Sequence, residues 1–181
     1  YYKEKIDAIN AQYGSFILIN TKLAVVNNLL KTTPFSAYTL DHDPSDPKKK
    51  AMYSRYWVYE NNILANFVTL LHKLCIIFPN KTFVLRPHPG EDPEYYRTVF
   101  SGVKNIYVDK SGAVHPWIMA ADLVIHDQCT TGVESFLAEI PTISYKPLED
   151  KEFEIILPNQ CGVKCETEEE VVKAINESER D

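Results

Sequence analysis

Residues 122–145, DLVIHDQCTTGVESFLAEIPTISY, contain the pattern that decides the fold. The apolar run DLVIH at 122–126 is typical of a strand that is buried on both faces of a parallel sheet. TTGVESFLAEI follows with helical periodicity, and its apolar positions share one face: Val133, Phe136, Leu137 and Ile140. Pro141 ends this helix, and PTISY at 141–145 predicts another strand. A strand, a helix and a strand in this order predict a βαβ unit.

The same alternation continues on both sides of this unit. Further strands are predicted at Ser15–Asn20, Thr82–Arg86 and 105–108, and helices at 91–100, 114–121 and 168–179. The last helix opens with a capping box formed by Thr167 and Glu170. A longer helix is predicted from Met52, with apolar positions at Trp57, Leu64, Phe67, Val68, Leu71, Leu74, Cys75 and Phe78. The predicted fold class is α/β, a Rossmann-like, doubly wound, mostly parallel sheet with an N-terminal helical arm.

The ends and the loops suggest how the domain is organised. The chain lacks an initiator methionine and opens in a charged, helix-like stretch, so it looks cut from something longer. Residues 1–13 are interpreted as a helical arm or linker from a missing N-terminal domain, and residues 14–181 as a Rossmann-like domain. Residues 31–50 contain three prolines and a lysine triplet, which predicts a long loop.

Composition excludes several functional classes. The formal net charge is −6 and the pI about 5.4, which argues against broad binding to nucleic acid or to anionic lipid. No apolar run approaches the length of a transmembrane helix, and no signal peptide is visible, so the chain is expected in the cytoplasm. The four cysteines are expected to be reduced. Cys161 and Cys165 have no histidine nearby to complete a metal site, and no metal is expected.

The segment HDQCTTGVE at 126–134 is the strongest candidate for a binding site. A buried strand delivers it onto a helix N-terminus, where free backbone N–H groups and the helix dipole favour an anion. A phosphate there would meet the loop residues Cys129, Thr130, Thr131 and Gly132. Glu134 lies one turn further on, where its carboxylate could accept hydrogen bonds from the ribose hydroxyls. Thr131 and Glu134 are equally well spaced for a capping box, and His126 at the end of the strand favours the ligand.

RPHPGED at 86–92 provides a second group of candidates. Arg86 and His88 leave a strand toward the same edge of the sheet, and the flanking prolines fix the backbone around the histidine. His88 is predicted to hydrogen-bond a phosphate or to act as the general acid that helps it depart, with a loop histidine that caps a carbonyl as the alternative. Other candidates for contact with the ligand follow nearby strands or open a helix: Asn20, Thr21, Lys22, His115 and Lys146. For His115 and Lys146 the alternatives are an N-cap neighbour and a solvated cation.

Several remaining groups are assigned structural roles, and several motifs are missing. His42, between Asp41 and Asp43, is assigned to a solvated loop, and His72 to a helix surface. The aromatic residues of the long helix are expected in the core and at its rim: Tyr53, Tyr56, Trp57 and Tyr59. The chain contains no Walker A loop, GxGxxG, HExxH or GxSxG pattern, which removes the usual support for P-loop hydrolases, dehydrogenases, zinc proteases and α/β-hydrolases.

The segments at 16–28, 86–92 and 114–147 resemble the C-terminal domain of the bacterial surface carbohydrate biosynthesis proteins, which are GT-B glycosyltransferases. More distantly, the chain is similar to the UDP-N-acetylglucosamine 2-epimerases and the teichoic-acid glycerophosphotransferases. Counted back from Pro141, Glu134 falls where the epimerases place a ribose-binding glutamate. The epimerase loop has a serine and two glycines where this chain has Gln128, Cys129 and Thr130, so details of phosphate binding do not transfer.

The resemblance implies a nucleotide-sugar donor domain that uses no cofactor. The His-Pro pair at 88–89 resembles the motif with which GT-B sialyltransferases and Kdo transferases hold a CMP-sugar. It implies a CMP-activated acidic sugar such as Kdo or another nonulosonate. A saccharide or lipid-linked saccharide acceptor would then be bound by a missing N-terminal domain, in the cytoplasm or at the inner face of the cell membrane. The alternatives are a polyol-phosphate transferase, a UDP-sugar epimerase and a non-catalytic nucleotide-binding module.

Overall fold

A computed structural model describes residues 2–31 and 46–178 of the chain. Within these residues, six strands form one sheet in which every neighbouring pair is parallel. In chain order they are β1 (Phe16–Asn20), β2 (Thr82–Arg86), β3 (Ile106–Val108), β4 (Leu123–His126), β5 (Thr142–Tyr145) and β6 (Val163–Cys165). Their order across the sheet is β3-β2-β1-β4-β5-β6. This arrangement confirms the predicted Rossmann-like, doubly wound α/β fold.

Helices cover both faces of the sheet. They are α1 (Lys3–Tyr13), α2 (Pro47–Ile77), α3 (Pro93–Val99), α4 (His115–Ala120), α5 (Thr130–Leu137), α6 (Ile156–Asn159) and α7 (Glu168–Glu177). The predicted capping box at the start of α7 is present, with Thr167 and Glu170 each bonded to the other's backbone. Of the helices in the described ranges, none is both long and apolar enough to span a membrane.

Alternate strand residues point to opposite faces and build two cores. The larger core joins strand residues such as Ile17 and Ile19 to one face of α2 and to α7. The smaller core joins Phe16 and Leu18 to α4 and, through Ile9, to α1. The N-terminal helix therefore packs directly on the sheet that it precedes.

The structure corrects one prediction about a helix face. The apolar face predicted for α5 is not its buried face, since Phe136 and Leu137 are 56% and 76% exposed. The buried face of α5 carries small residues instead, Thr131, Gly132 and Ser135. Small side chains are required there because α5 lies very close to the strand beneath it.

Some boundaries also differ from expectation. The lysine triplet belongs to α2, which begins at Pro47 with Asp46 as its N-cap, so part of the predicted 31–50 loop is helical. Asp41, His42 and Asp43 lie outside the described residues. Neither α6 nor β6 was predicted. β6 has three residues, two of them exposed, and so has no apolar run that could indicate a strand.

Candidate functional site

The sheet order creates a crevice between β1 and β4. The chain continues from β1 to one side of the sheet and from β4 to the other, so the loops that follow these two strands diverge. A cleft of about 480 Å³ opens at this edge. It is lined by residues from four segments: Asn20, Thr21, Arg86, Pro87, His88, Pro89, Lys110, Gly112, Ala113, Val114, Cys129, Thr130, Thr131 and Glu134. The structure therefore brings together eight of the residues that the sequence singled out.

The start of α5 forms one wall of the cleft. Cys129 is the N-cap and makes no side-chain capping bond, so Thr131 is already the second residue of the helix. A capping box formed by Thr131 and Glu134 would need Thr131 itself at the N-cap, and the structure excludes that alternative. The Thr131 hydroxyl is buried without a hydrogen-bond partner among the described residues, with the Cys129 thiol beside it. It is available to a ligand at the helix N-terminus.

Glu134 faces the cleft from one turn further along α5. Its Oε2 lies 3.4 Å from Nε2 of His115 at the start of α4. The same oxygen is buried, and within the described ranges it has no hydrogen bond. His115 does not line the cleft itself and is connected to it through this contact with Glu134. Its ring is parallel to that of Tyr2, with the centroids 6.1 Å apart.

Asn20 and Thr21 form the floor of the cleft at the end of β1. The Asn20 amide donates to the carbonyl of Arg86 at 3.4 Å, while its own Oδ1 is buried and has no partner in the described structure. The Thr21 hydroxyl donates to the carboxylate of Glu91 at 3.0 Å. The floor thus offers an unpaired amide oxygen next to a hydroxyl that already has a partner.

Arg86 shapes the cleft more than it offers charge to a ligand. Its guanidinium donates to the carbonyl of Ser111 at 2.7 Å and to that of Gly112, and it lies 5.2 Å from the ring centroid of Trp117. The residue is 7% exposed, and burial lowers the pKa of its guanidinium. These contacts hold the cleft wall at 111–113 in place, and contact of Arg86 with the donor stays a prediction.

His88 is exposed at the cleft between two prolines. Its Nδ1 accepts a hydrogen bond from the N–H of Gly90 at 3.1 Å. A neutral imidazole with an accepting Nδ1 carries its proton on Nε2, so the ring can donate from that atom. The arrangement favours donation to an anionic oxygen.

Two residues of this edge were not found from the sequence. Lys110 lines the cleft, and its ammonium group donates to the carbonyls of Pro89 and Glu91 at 2.6 and 2.8 Å. Glu91 is fully buried and accepts hydrogen bonds from residues of three segments. Nothing in the local pattern marks either residue, because their roles depend on loops that meet only in the folded chain.

Besides His115, four predicted residues lie outside the cleft. His126 is completely buried beneath α5, where an added Cβ on Gly132 would lie 2.2 Å from its Nε2. Neither ring nitrogen makes a well-formed hydrogen bond in the described structure, and burial lowers the pKa of the ring to about 4 although the Cys161 backbone opposes this. Gly132 is buried by the same contact. Lys146 is 7% exposed, and its ammonium group pairs with Glu154 at 2.6 Å, so it is not the solvated cation of the alternative interpretation. The charge of Lys22 acts on buried carboxyl groups next to the cleft instead.

Those buried carboxyl groups are Asp127, after β4, and Glu60 of α2. They are 2% and 4% exposed, and one oxygen of Asp127 has no partner within the described ranges. Burial raises the pKa of each to about 7, and the charge of Glu60 adds to the effect on Asp127. Neither residue lines the cleft.

In residues 2–31 and 46–178, no group of three or more histidine, cysteine or acidic side chains is arranged to hold a metal ion, and all four cysteines are free.

Comparison with known proteins identifies relatives of the fold alone. No family model matches the sequence. No curated protein matches it either. A crystal structure of the Methanocaldococcus jannaschii UDP-GlcNAc 2-epimerase, in complex with UDP-GlcNAc and UDP, matches 97% of this chain with a TM-score of 0.58 and 14% sequence identity. A second structure of that enzyme matches 96% with a TM-score of 0.53 and 12% identity. The chain spans 41% and 42% of these two structures. Over nearly its whole length, the chain therefore has the fold of a segment of this epimerase.

Proposed function

We propose that the cleft between β1 and β4 binds a nucleotide sugar and that the chain is the donor-binding domain of an enzyme. One observation carries the proposal. Three buried polar atoms around the cleft, Asn20 Oδ1, Thr131 Oγ1 and Glu134 Oε2, have no hydrogen-bond partner among the described residues. Buried polar groups in folded proteins are nearly always paired, so these atoms indicate a polar ligand. The N-terminus of α5 and the His88 ring fit the phosphates of a nucleotide, and the Glu134 carboxylate fits its ribose.

In the proposed complex, the phosphates lie at the start of α5 against Thr130 and Thr131. His88 donates from Nε2 to a phosphate oxygen and stabilises the charge that develops on the departing nucleotide. Glu134 turns from His115 to the two ribose hydroxyls. Lys110 adds a positive charge to the same wall.

For the reaction, we propose transfer of the sugar by a GT-B glycosyltransferase of bacterial surface polysaccharide synthesis. A CMP-activated acidic sugar is the proposed donor because the His-Pro pair at 88–89 lies in the cleft. The acceptor would be bound by a further domain. The second candidate is a UDP-sugar epimerase, and the fold shared with the M. jannaschii enzyme favours it.

Calorimetric titration with CMP, CDP, UDP and GDP tests the proposal. We expect at least one nucleotide to bind, and Glu134→Ala to weaken it about 10- to 100-fold, because hydrogen bonds to a charged group contribute about 1.5–3 kcal/mol. Preference for CMP would support the transferase, and preference for UDP the epimerase.

Glu177→Ala is the matched control. Glu177 is an exposed glutamate of α7, the helix that packs on the opposite face of the sheet from α5, and its contact with Lys173 is long, at 3.8 Å. Its removal should leave nucleotide affinity unchanged. Absence of binding by all four nucleotides would reject the proposal, and equal affinities of the Glu134→Ala and Glu177→Ala proteins would reject the ribose contact.

A further inference from the structure

A carboxylate outside the cleft holds the loops that form it. Glu91 is 0% exposed and does not line the cleft. Its Oε1 accepts from the hydroxyl of Thr21, from the N–H of Leu23 and from the N–H of His88, each at 3.0 Å. Its Oε2 accepts from the same hydroxyl and, at 2.6 Å, from the hydroxyl of Tyr96.

The origin of these donors shows what the carboxylate does. Thr21 and Leu23 follow β1, His88 follows β2, and Tyr96 belongs to α3. A buried carboxylate is costly unless several hydrogen bonds replace its water. Glu91 meets that condition only while all three segments keep their present separation, so it fixes them relative to one another.

The same contacts determine the state of His88. With its backbone N–H bonded to Glu91, the loop turns so that the Gly90 N–H reaches Nδ1 of the ring. Lys110 strengthens the turn from outside through the carbonyls of Pro89 and Glu91. The proton of a neutral His88 is thereby kept on Nε2.

We infer that Glu91 is the positioning residue of the cleft. It holds Thr21 of the floor and His88 of the wall in one fixed arrangement and keeps the His88 ring in the tautomer that donates from Nε2. The inference rests on the proposed nucleotide binding for its effect on affinity. Its effect on the tautomer is independent of any ligand.

Two variants separate the geometry of Glu91 from its charge. Glu91→Gln keeps the length of the side chain, and its amide oxygen can accept from Leu23 and His88 while the two hydroxyls rotate to accept from the amide nitrogen. Glu91→Asp keeps the charge but is one methylene shorter, so it cannot reach donors on three segments at once. A positioning role therefore predicts that the neutral variant is tolerated and the charged one is not.

The experiment uses the full chain with ¹⁵N-labelled histidine. Without ligand, we expect the His88 ring to be mainly the Nε2–H tautomer in the unmodified protein and in Glu91→Gln, and a mixture in Glu91→Asp. A His88→Gln spectrum assigns the signal among the five histidines. In nucleotide titrations, Glu91→Asp should lose about 10- to 100-fold in affinity, and Glu91→Gln should stay within about threefold.

Ile175→Ala controls for a general loss of stability. Ile175 is a buried residue of α7 that packs in the larger core and does not line the cleft. The inference is overturned if Glu91→Gln is as impaired as Glu91→Asp, or if Glu91→Asp leaves the His88 tautomer as it is in Ile175→Ala. A protein that binds no nucleotide but shows the expected tautomer change would reject the proposed function and retain the positioning role.

Discussion

Gly132→Ala is expected to lower the free energy of unfolding by about 1–2 kcal/mol, although the same change usually stabilises a helix. Within a helix, alanine is favoured over glycine by about 1 kcal/mol. Here an ideal Cβ on Gly132 would lie 2.2 Å from Nε2 and 2.3 Å from Cε1 of His126. The imidazole is fully buried at the end of β4, so it cannot move aside into solvent. Overpacking of this kind commonly costs about 1–3 kcal/mol.

The clash between the Cβ added by Gly132→Ala and the His126 ring should also change the geometry of the cleft. α5 would have to move away from β4 to admit the methyl group, and Thr130 and Thr131 would move with it. We therefore expect nucleotide affinity to fall together with stability, which urea unfolding and calorimetry can measure on the same sample.

A double-mutant cycle identifies the contact that is responsible. His126→Ala removes the ring, so Gly132→Ala in that background should cost much less than it does alone. Thr130→Ala, at an exposed position in the same turn, serves as the control and should change stability by about 0.5 kcal/mol or less. An unchanged or higher free energy of unfolding for Gly132→Ala would mean that α5 does not pack on His126.

The contact between Gly132 and His126 also shows where prediction from sequence fails. The strand, the loop and the helix were predicted from residues 122–145, and all three are present. The predicted apolar face of the helix is wrong because tight packing of α5 on β4 admits only small residues. Phe136 and Leu137 are consequently exposed, and His126, whose position suggested a ligand contact, is enclosed instead.

For the cleft, the order of strands and loops was sufficient to group the main candidates. Asn20, Thr21 and His88 were expected at one edge because parallel strands end there, and all three line the cleft. The hydrogen-bond partners of the side chains at this edge were not predictable from the sequence. Whether Arg86 contacts a ligand or the carbonyls of Ser111 and Gly112 depends on where the loop after β3 runs, and nothing in that loop's sequence specifies its path.

The burial of two acidic side chains was the feature that the sequence predicted least. In the sequence, Asp127 lies in a polar loop and Glu60 in an amphipathic helix, where acidic residues are ordinary. Only the packing of α2 against the end of β4 places both carboxyl groups in the interior, and their pKa values are raised as a result.

These two groups should make the stability of the protein depend on pH in an unusual direction. Burial raises the pKa of Asp127 from its ordinary 3.8 to about 7, and that of Glu60 from 4.5 to about 7. Between about pH 4 and pH 7 the folded protein therefore binds more protons than the unfolded chain. The free energy of unfolding contributed by this pair must fall as pH rises through that range, and the contribution is lost above pH 7.

Asp127→Asn measures this contribution. Asparagine is neutral at every pH, so the variant should gain stability relative to the unmodified protein as pH rises from 5 to 8. The expected gain is about 2–3 kcal/mol, since each unit of pKa difference corresponds to about 1.4 kcal/mol over the two units between pH 5 and pH 7. Urea unfolding of both proteins across this range gives the difference directly.

The comparison with the unmodified protein matters because His126 has the opposite effect. Its pKa is lowered to about 4, so the free energy of unfolding falls as pH drops below about 6.5 and the unfolded histidine takes up a proton. Both proteins carry His126, and its contribution cancels in the difference between them. Glu60→Gln should produce a change of the same sign, while Glu177→Gln, at an exposed position on α7, should produce none. Parallel stability curves for Asp127→Asn and the unmodified protein would show that Asp127 is already ionised in the fold, with Lys22 close enough to compensate its charge.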